Sequence, residues 1–480
     1  MKTIYRILTI SFLFVAVVAS AQTVITEGSV SGNWSLEYSP YLIQCDIYVP
    51  ENNFLTIEAG VEIIFHTNSS MKINGQLLAI GNEADSIIFT ADRKEVGWAG
   101  IRWLNLGVFE RDVFSKLEYC KFSYAKSRGR FPMNYGGAIG IMNTNNVIIS
   151  HCLFEDCEAL TWGEAEAKGG AMALVNSDAR VSHCTFQDNT SVFGGALVVV
   201  AGSNPAIDNC LFVRNTALQF GGAVEVMELS RPVFINCTFA DNYAEFGGGA
   251  LDMFPHVRAD IINCILWGNQ AGRVMDQVNI RDENRGIAFS YCNIEGGVEA
   301  IVLHPVTNKQ IGNIDEVPNF MGFGDHPYMP LTGSPCIDAG IIDNSFFPLN
   351  WVIPNEDLVG NSRIFNDAID MGCYEYVFEQ PLPPAQEEKK MHINASMEML
   401  VYPCPAHTTL SFQYKLAKDA DVQLSIYDMQ GRLVVELVDN KQTVGLQKLA
   451  WDVQSLLMGT YIYKMKVGDK MKTGQILIAN

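Results

Sequence analysis

The chain is short of positive charge and of long apolar runs. Of its 480 residues, 33 are Lys or Arg against 53 Asp or Glu, a net charge of −20. A deficit of that size argues against non-specific binding of nucleic acid or of anionic membrane, and fits a self-repelling surface or one that collects divalent cations. Beyond residue 21 no run approaches the 18 or so apolar residues of a membrane-spanning helix. There is also no run of about ten residues with apolar positions at a 3.6-residue period, so helical repeats are set aside, and regular leucine spacing is missing too. Disorder is excluded from the other side, since 7 Trp, 17 Tyr and 26 Phe are too many for a chain without a core.

What is present is a repeat. Glycine pairs recur at Gly136-Gly137, Gly169-Gly170, Gly194-Gly195, Gly221-Gly222 and Gly248-Gly249, each followed by alanine and an apolar residue. Cysteines follow at Cys152, Cys184, Cys210, Cys237 and Cys264, spaced 32, 26, 27 and 27 residues apart. A period in the twenties means stacked units. After each alanine the apolar residues alternate, as in Leu197/Val199 and Val224/Val226, so the segments are strands with one face inward. Short strands at this period predict an all-β fold, a parallel β-helix (solenoid) whose coils rise about 4.8 Å each, right-handed by the resemblance of its opening coils given below.

Stacking turns equal offsets into vertical columns. Phe154, Phe186, Phe212, Phe239 and Leu266, each two residues after a cysteine, fill the interior. Five residues after the cysteines come Cys157, Asn189, Asn215, Asn242 and Asn269, and one before them His151, His183, Asn209, Asn236 and Asn263. Asparagine recurring at a turn predicts a ladder of amides bonding the bend's backbone and one another. The cysteine column predicts buried thiols, because in-register parallel stacking suits the disulfide dihedral poorly.

The combination of Gly-Gly-Ala-apolar with Phe-x-x-Asn, at Phe186 to Asn189, Phe212 to Asn215 and Phe239 to Asn242, resembles the repeat of the polymorphic outer-membrane proteins, β-helical bacterial surface adhesins. That family ends in a membrane barrel with no counterpart in this sequence, so delivery must differ. The block from Phe54 to Ile101 looks like the opening coils of secreted right-handed β-helices. Ser334 to Gly340, Asp357 to Arg363 and Asp370 to Glu375 resemble a choice-of-anchor tail, with Cys373 where alanine is usual. Tyr402-Pro403-Cys404-Pro405-Ala406, Ile426 to Arg432 and Leu457 to Ile462 resemble the type A C-terminal sorting domain of the type IX secretion system, with Cys404 where asparagine is typical. The motif residues are Tyr402, Pro403, Pro405, Asp428, Gly431, Arg432, Gly459 and Tyr461. The resemblance implies a Bacteroidota-type bacterium, the secretion machinery as a partner, and export across the outer membrane to the cell surface or the extracellular space.

The chain then divides into a signal peptide (1–21), in which Lys2 and Arg6 precede an apolar run and Ala19-Ser20-Ala21, an N-terminal cap (22–53), the β-helix (54–300), a tail expected to cap the far end (301–378), a proline-rich linker (379–393) and the sorting domain (394–480). Alternating strands with frequent turns make that last domain a small Ig-like β-sandwich.

Chemistry is sparser. Glu225 and Asp252 fall at outward strand positions one coil apart, beside Gly140, Ala173 and Val198, and are expected on an exposed face. Carboxylates about 5 Å apart could serve retaining hydrolysis or hold calcium. The sequence lacks the Gly-His-Gly, Asp-Asp and Arg-Ile-Lys motifs of pectin hydrolases, so these two are the weak catalytic candidates. His151 and His183 share a column that continues as asparagine, which favours a structural role over a metal. Two longer coils carry Arg128, Arg130, Phe131 and Tyr135, then Trp162, Glu164 and Glu166, the candidate ligand-binding protrusion. The reading is an exported, adhesin-like binding module for a surface glycan or a host protein, without cofactor; the alternative is a polysaccharide lyase or glycoside hydrolase.

Overall fold

The computed structural model describes residues 22–104, 114–160, 166–273, 276–281, 286–301, 309–322, 324–347, 353–365, 367–376, 399–402, 409–416, 418–428, 432–454, 456, 459–468 and 470–478. The signal peptide, the linker, Trp162, Glu164, Pro403, Pro405 and Gly431 lie outside these residues.

One coil shows how the repeat folds. Leu197–Val200, Ala206–Asp208, Leu211–Val213 and Thr216–Phe220 are its four strands, and each joins a separate parallel sheet. The first sheet runs from Ile47–Val49 to Val278–Ile280, the second from Gly32–Trp34 to Lys309–Ile311, the third from Thr23–Ile25 to Asn293–Ile294, and the fourth from Lys126–Ser127 to Gln270–Ala271. Register is strict: Phe186 pairs with Phe212 and Phe212 with Phe239. Their rings stack at 4.7 and 4.9 Å, the strand spacing of a sheet. The chain is therefore a right-handed β-helix whose core is a continuous column of Ile, Val, Leu, Phe and Cys.

The corners explain the polar columns. Residues one before each cysteine, from Tyr119 through His151, His183, Asn209, Asn236 and Asn263 to Tyr291, all hold φ between 49° and 54°. Asparagine and histidine, which tolerate this left-handed bend, fill its middle, while Tyr119 and Tyr291 hold it at the two ends as bulkier residues. The amide ladder forms at the other corner. Asn215 Nδ2 donates to Asn242 Oδ1 at 2.9 Å and to the Phe186 carbonyl at 2.9 Å, while its own Oδ1 accepts from the Asn189 backbone N–H at 3.1 Å. Asn242 and Asn269 repeat the pattern, and the Cys157 N–H starts it by donating to Asn189 Oδ1. The column before the cysteines forms no such ladder among the described residues: Asn236 and Asn263 turn their amides to the tail, while Asn209 Nδ2 donates to Asp208 Oδ1 at 3.2 Å.

The glycine pairs are demanded by close approach. Gly194 holds φ +61°, and a Cβ on Gly195 would land on the Gly222 carbonyl oxygen of the next coil. Cys120, Cys152, Cys184, Cys210, Cys237, Cys264 and Cys292 are all buried free thiols. Each of the middle three donates back to the carbonyl two residues before it, as Cys184 Sγ does to Ser182 at 3.2 Å.

Two boundaries differ from the sequence reading. Strands begin at Thr23, and Gly32–Trp34 already pairs with Phe54–Ile57, so residues 22–53 contribute coils rather than a separate cap. The tail does not simply plug the far end. It lies along the flank, with Tyr328, Cys373 and Tyr374 packed on Leu211, Val213 and Ala240, and with Cys336 and Met371 on Ile265. Asn236 Nδ2 donates to the Asp370 carbonyl at 3.0 Å and Asn263 Nδ2 to that of Ile341 at 2.9 Å, so the bend column is what the tail grips.

The C-terminal unit is an antiparallel sandwich. Met399–Tyr402, Thr409–Leu416 and Gly445–Asp452 form one sheet; Ala420–Asp428, Leu433–Gln442, Gly459–Val467 and Lys470–Ile478 form the other. Leu410, Phe412, Leu424, Ile426 and Met465 fill a core of its own. Among the motif residues, Tyr402 pairs with Ser411, Asp428 lies opposite Tyr461, Gly459 opens its strand and Arg432 is exposed.

Candidate functional site

The carboxylate pair is on the side that alternation gives it, but it is not exposed. Glu225 and Asp252 are paired in register on the outer side of the first sheet, yet both are 0% exposed. The expectation of a solvated face fails because the outside of this sheet is itself covered. Met142, Val175, Val198, Val200 and Met227 make a second apolar layer there, with Tyr135 and Phe254 against it. Over the carboxylates lies Arg281, its guanidinium 3.9 Å from the Phe220 ring and 4.7 Å from that of Phe254. Its Nη2 stands 2.9 Å from Asp252 and 3.6 Å from Glu225, and Asn279 Nδ2 donates to Asp252 Oδ1 at 2.5 Å. Burial, and then Asp252, push the Glu225 carboxyl well above its usual range; burial raises Asp252 to about 6 against the pull of Arg281. Neither Glu225 oxygen has a hydrogen-bond partner among the described residues. The arrangement is a sealed ion cluster in which Arg281 supplies the positive charge that calcium would. No group of three or more His, Cys, Asp and Glu is arranged to hold a metal among the described residues.

The candidate protrusion is half described. Arg128, Arg130 and Phe131 are exposed, and Phe131 meets Tyr135 edge-on at 5.1 Å. The two long coils do touch: Asn134 Nδ2 donates to the Glu166 carbonyl at 2.6 Å, and the Glu166 carboxylate binds Lys168 Nζ at 3.0 Å. Lys168 in turn sits 4.2 Å from the Phe193 ring and 6.0 Å from that of Tyr135, so the residues preceding the glycine pairs form a ring column with one lysine set between rings. Phe220 and Phe246 continue it, stacked at 5.5 Å.

Sequence reasoning gave little weight to a different place. A cleft of about 550 Å³ opens where the edge of the tail meets the bend column. Tyr119, His151 and His183 line it as a ring stack, at 4.6 and 4.7 Å between neighbours, with Arg214 beside them and His326, Tyr328 and Tyr374 facing from the tail. Leu153, Leu211, Val213, Leu358 and Val359 supply apolar wall. His183 Nε2 donates to the Glu356 carbonyl at 3.0 Å, and the Nδ1 atoms of both His151 and His183 are buried without a hydrogen-bond partner among the described residues. Burial, then His183, lowers the pKa of His151. The signal in the sequence was the change of the column from asparagine to ring residues, which only the tail's position makes meaningful.

Residues 63–269 match the right-handed β-helix region family, and residues 400–479 match the secretion-system C-terminal sorting domain. The second match indicates interaction with the type IX secretion machinery and export across the outer membrane to the cell surface or the extracellular space. No curated protein matches the chain. Among solved structures it is similar to the enzymatically active domain of tailspike protein 4 of bacteriophage CBA120, at 11% identity and a TM-score of 0.32, over 93% of this chain and 64% of that one. The chain thus spans less than two thirds of that structure's length, and a likeness at this level carries no argument about activity. No helix among the described residues is long and apolar enough to cross a membrane.

Proposed function

We propose that this exported β-helix is an adhesin-like binding module of a Bacteroidota-type bacterium, displayed on the cell or released, that holds a surface glycan or a host protein. The observation that carries the reading is the open cleft at the edge of the tail, ring-lined and about 550 Å³, within the range of small-ligand sites. By contrast, Glu225 and Asp252 are buried beneath Arg281. The test is to incubate the purified full chain with immobilised polysaccharides and with host cells, measuring both retention and release of sugar fragments. Retention without release supports a binding module. Fragment release abolished by Glu225→Ala and Asp252→Ala together would replace it with the polysaccharide-degrading reading, which the raised carboxyls of that pair favour. No retention of any partner would remove the binding reading outright.

A further inference from the structure

At its N-terminal end the coil begins on strand edges. Thr23–Ile25 and Gly32–Trp34 are the first strands of the third and second sheets, and each pairs on one side only among the described residues. The Thr23 N–H donates to the Pro40 carbonyl and the Ile25 carbonyl accepts from the Gln44 N–H, both at 3.0 Å, so the N–H and C=O of Val24 between them face away from the sheet. Around this edge the surface is apolar. Val24 is 47% exposed, Leu36 56% and Tyr38 50%, and the Thr23 hydroxyl ties the Leu36–Tyr38 turn to the strand by donating to the Tyr38 carbonyl at 2.8 Å. The surface is also acidic throughout: residues 22–71 hold six carboxylates and no Lys or Arg. Asp46 is engaged by Ser70, and Glu58 by Asn33 and the Leu36 N–H, while Glu27 and Glu37 stay exposed.

The C-terminal unit carries the complement. Residues 399–480 hold nine Lys or Arg against seven Asp or Glu, in a chain whose net charge is −20. Lys470–Ile478 is the outermost strand of the four-stranded sheet. On the strand beside it Lys464 and Lys466 are exposed, Lys466 in register with Met471, itself 57% exposed, and Lys464 with Thr473. The acids of that face, Glu436 and Asp439, stand on the opposite edge strand, where Glu436 accepts from Gln423 at 2.7 Å. Two acidic ends repel one another, and a lysine-bearing edge discourages a second one. Only the unlike pairing relieves both.

We propose that the acidic N-terminal end of one copy docks on the lysine-bearing edge of the C-terminal unit of a second copy. The Val24 backbone extends the sheet at Lys470–Ile478, with Val24, Leu36 and Tyr38 against Met471 and with Glu27 and Glu37 toward Lys464 and Lys466. Because the two surfaces differ, the contact is head-to-tail, and it propagates into chains of copies unless the rotation between them closes a ring. A three-residue edge with a small apolar patch makes a small interface, so the association is weak and depends on concentration.

Sedimentation velocity of the purified full chain, from about 1 to 200 μM at about 0.05 and 0.5 M NaCl, tests this. Expected are species larger than the monomer that grow with concentration and weaken about tenfold at the higher salt. Glu27→Lys with Glu37→Lys, and separately Lys464→Glu with Lys466→Glu, should each weaken the association about tenfold or more with the unfolding temperature unchanged. Mixed in equal amounts, the two double variants should associate again, since each presents the charge the other has lost. Should a charge variant fail to fold, Leu36→Ser and Met471→Ser probe the same contact from its apolar side, and each should weaken it. A monomer at every concentration overturns the proposal, as does an association that the variants leave unchanged or that strengthens with salt. Double variants that each lose the association and stay apart when mixed overturn it too. So does a closed dimer sensitive to the Glu27 and Glu37 changes alone, which would be a two-fold contact between N-terminal ends.

Discussion

Arg281 and Asp252 meet at 2.9 Å, on a side of the first sheet that alternation alone marks as facing solvent. The pair stands between two rings, Phe220 and Phe254, and closes over a Glu225 that no donor satisfies. A buried ion cluster of this kind is costly to break from one side, because the partner left behind keeps its charge without compensation.

Arg281→Met is accordingly expected to destabilise the chain at pH 8 by about 3 kcal/mol, the lower end for a buried pair, since 23% of the Arg281 side chain stays wetted. Both carboxyls have folded pKa values above their unfolded ones, so the folded state keeps protons that the unfolded state releases. The loss should therefore shrink toward pH 4 to 5, where both carboxyls are protonated in the folded state and no charge is left uncompensated. Urea unfolding at the two pH values measures it, and an equal loss at both would contradict the charge account.

Asn215→Ala removes one rung of the ladder and leaves the Asn189 backbone N–H without its acceptor. The expected cost is about 1–3 kcal/mol. Asn215→Asp should cost more, because the carboxylate lacks the Nδ2 that donates to the Phe186 carbonyl and puts a charge in its place. Thermal denaturation of the two variants ranks them, and an aspartate variant as stable as wild type would contradict the ladder.

Gly195→Ala places a methyl group against the Gly222 carbonyl of the next coil. The backbone must shift, at a cost of about 1–3 kcal/mol or more. Gly202→Ala meets no atom within 4 Å but holds a positive φ of 76°, which Gly195 does not, so it isolates the conformational part, about 1 kcal/mol. Comparing the two unfolding midpoints separates close approach from backbone strain.

Burial pushes the Asp208 carboxyl up to about 7, more than Arg180 at 3.7 Å offsets. The folded state holds this proton while the unfolded state releases it near pH 4, so stability falls as pH rises from about 4 to about 7 and stays lower above. Asp208→Asn should match wild type at pH 4 and exceed it at pH 8. A variant less stable than wild type at pH 8 would show that the Arg180 contact dominates.

The interior was legible because a coil that repeats every 26 to 32 residues converts sequence offset into height. Phe154, Phe186, Phe212 and Phe239 could be stacked on paper, and the thiol column with them. The sorting domain was legible from its strands and motifs. The opening coils were not, since Thr23–Ile25 and Gly32–Trp34 are three-residue strands too brief for alternation to show. The two asparagine columns were legible as columns, but not their different partners: the one after the cysteines bonds to itself, while Asn236 and Asn263 of the bend column bond to the tail.

By itself, then, the sequence determined which side chains point into the coil, because alternation along a strand and identity between coils are local rules. It could not determine what lies over the outside of that coil. Arg281 covering Glu225, and the tail reaching Asn236 and stopping short of His151, depend on segments far along the chain folding back onto a finished surface. Strand period carries no record of that return; only the packing of one completed layer on another decided it.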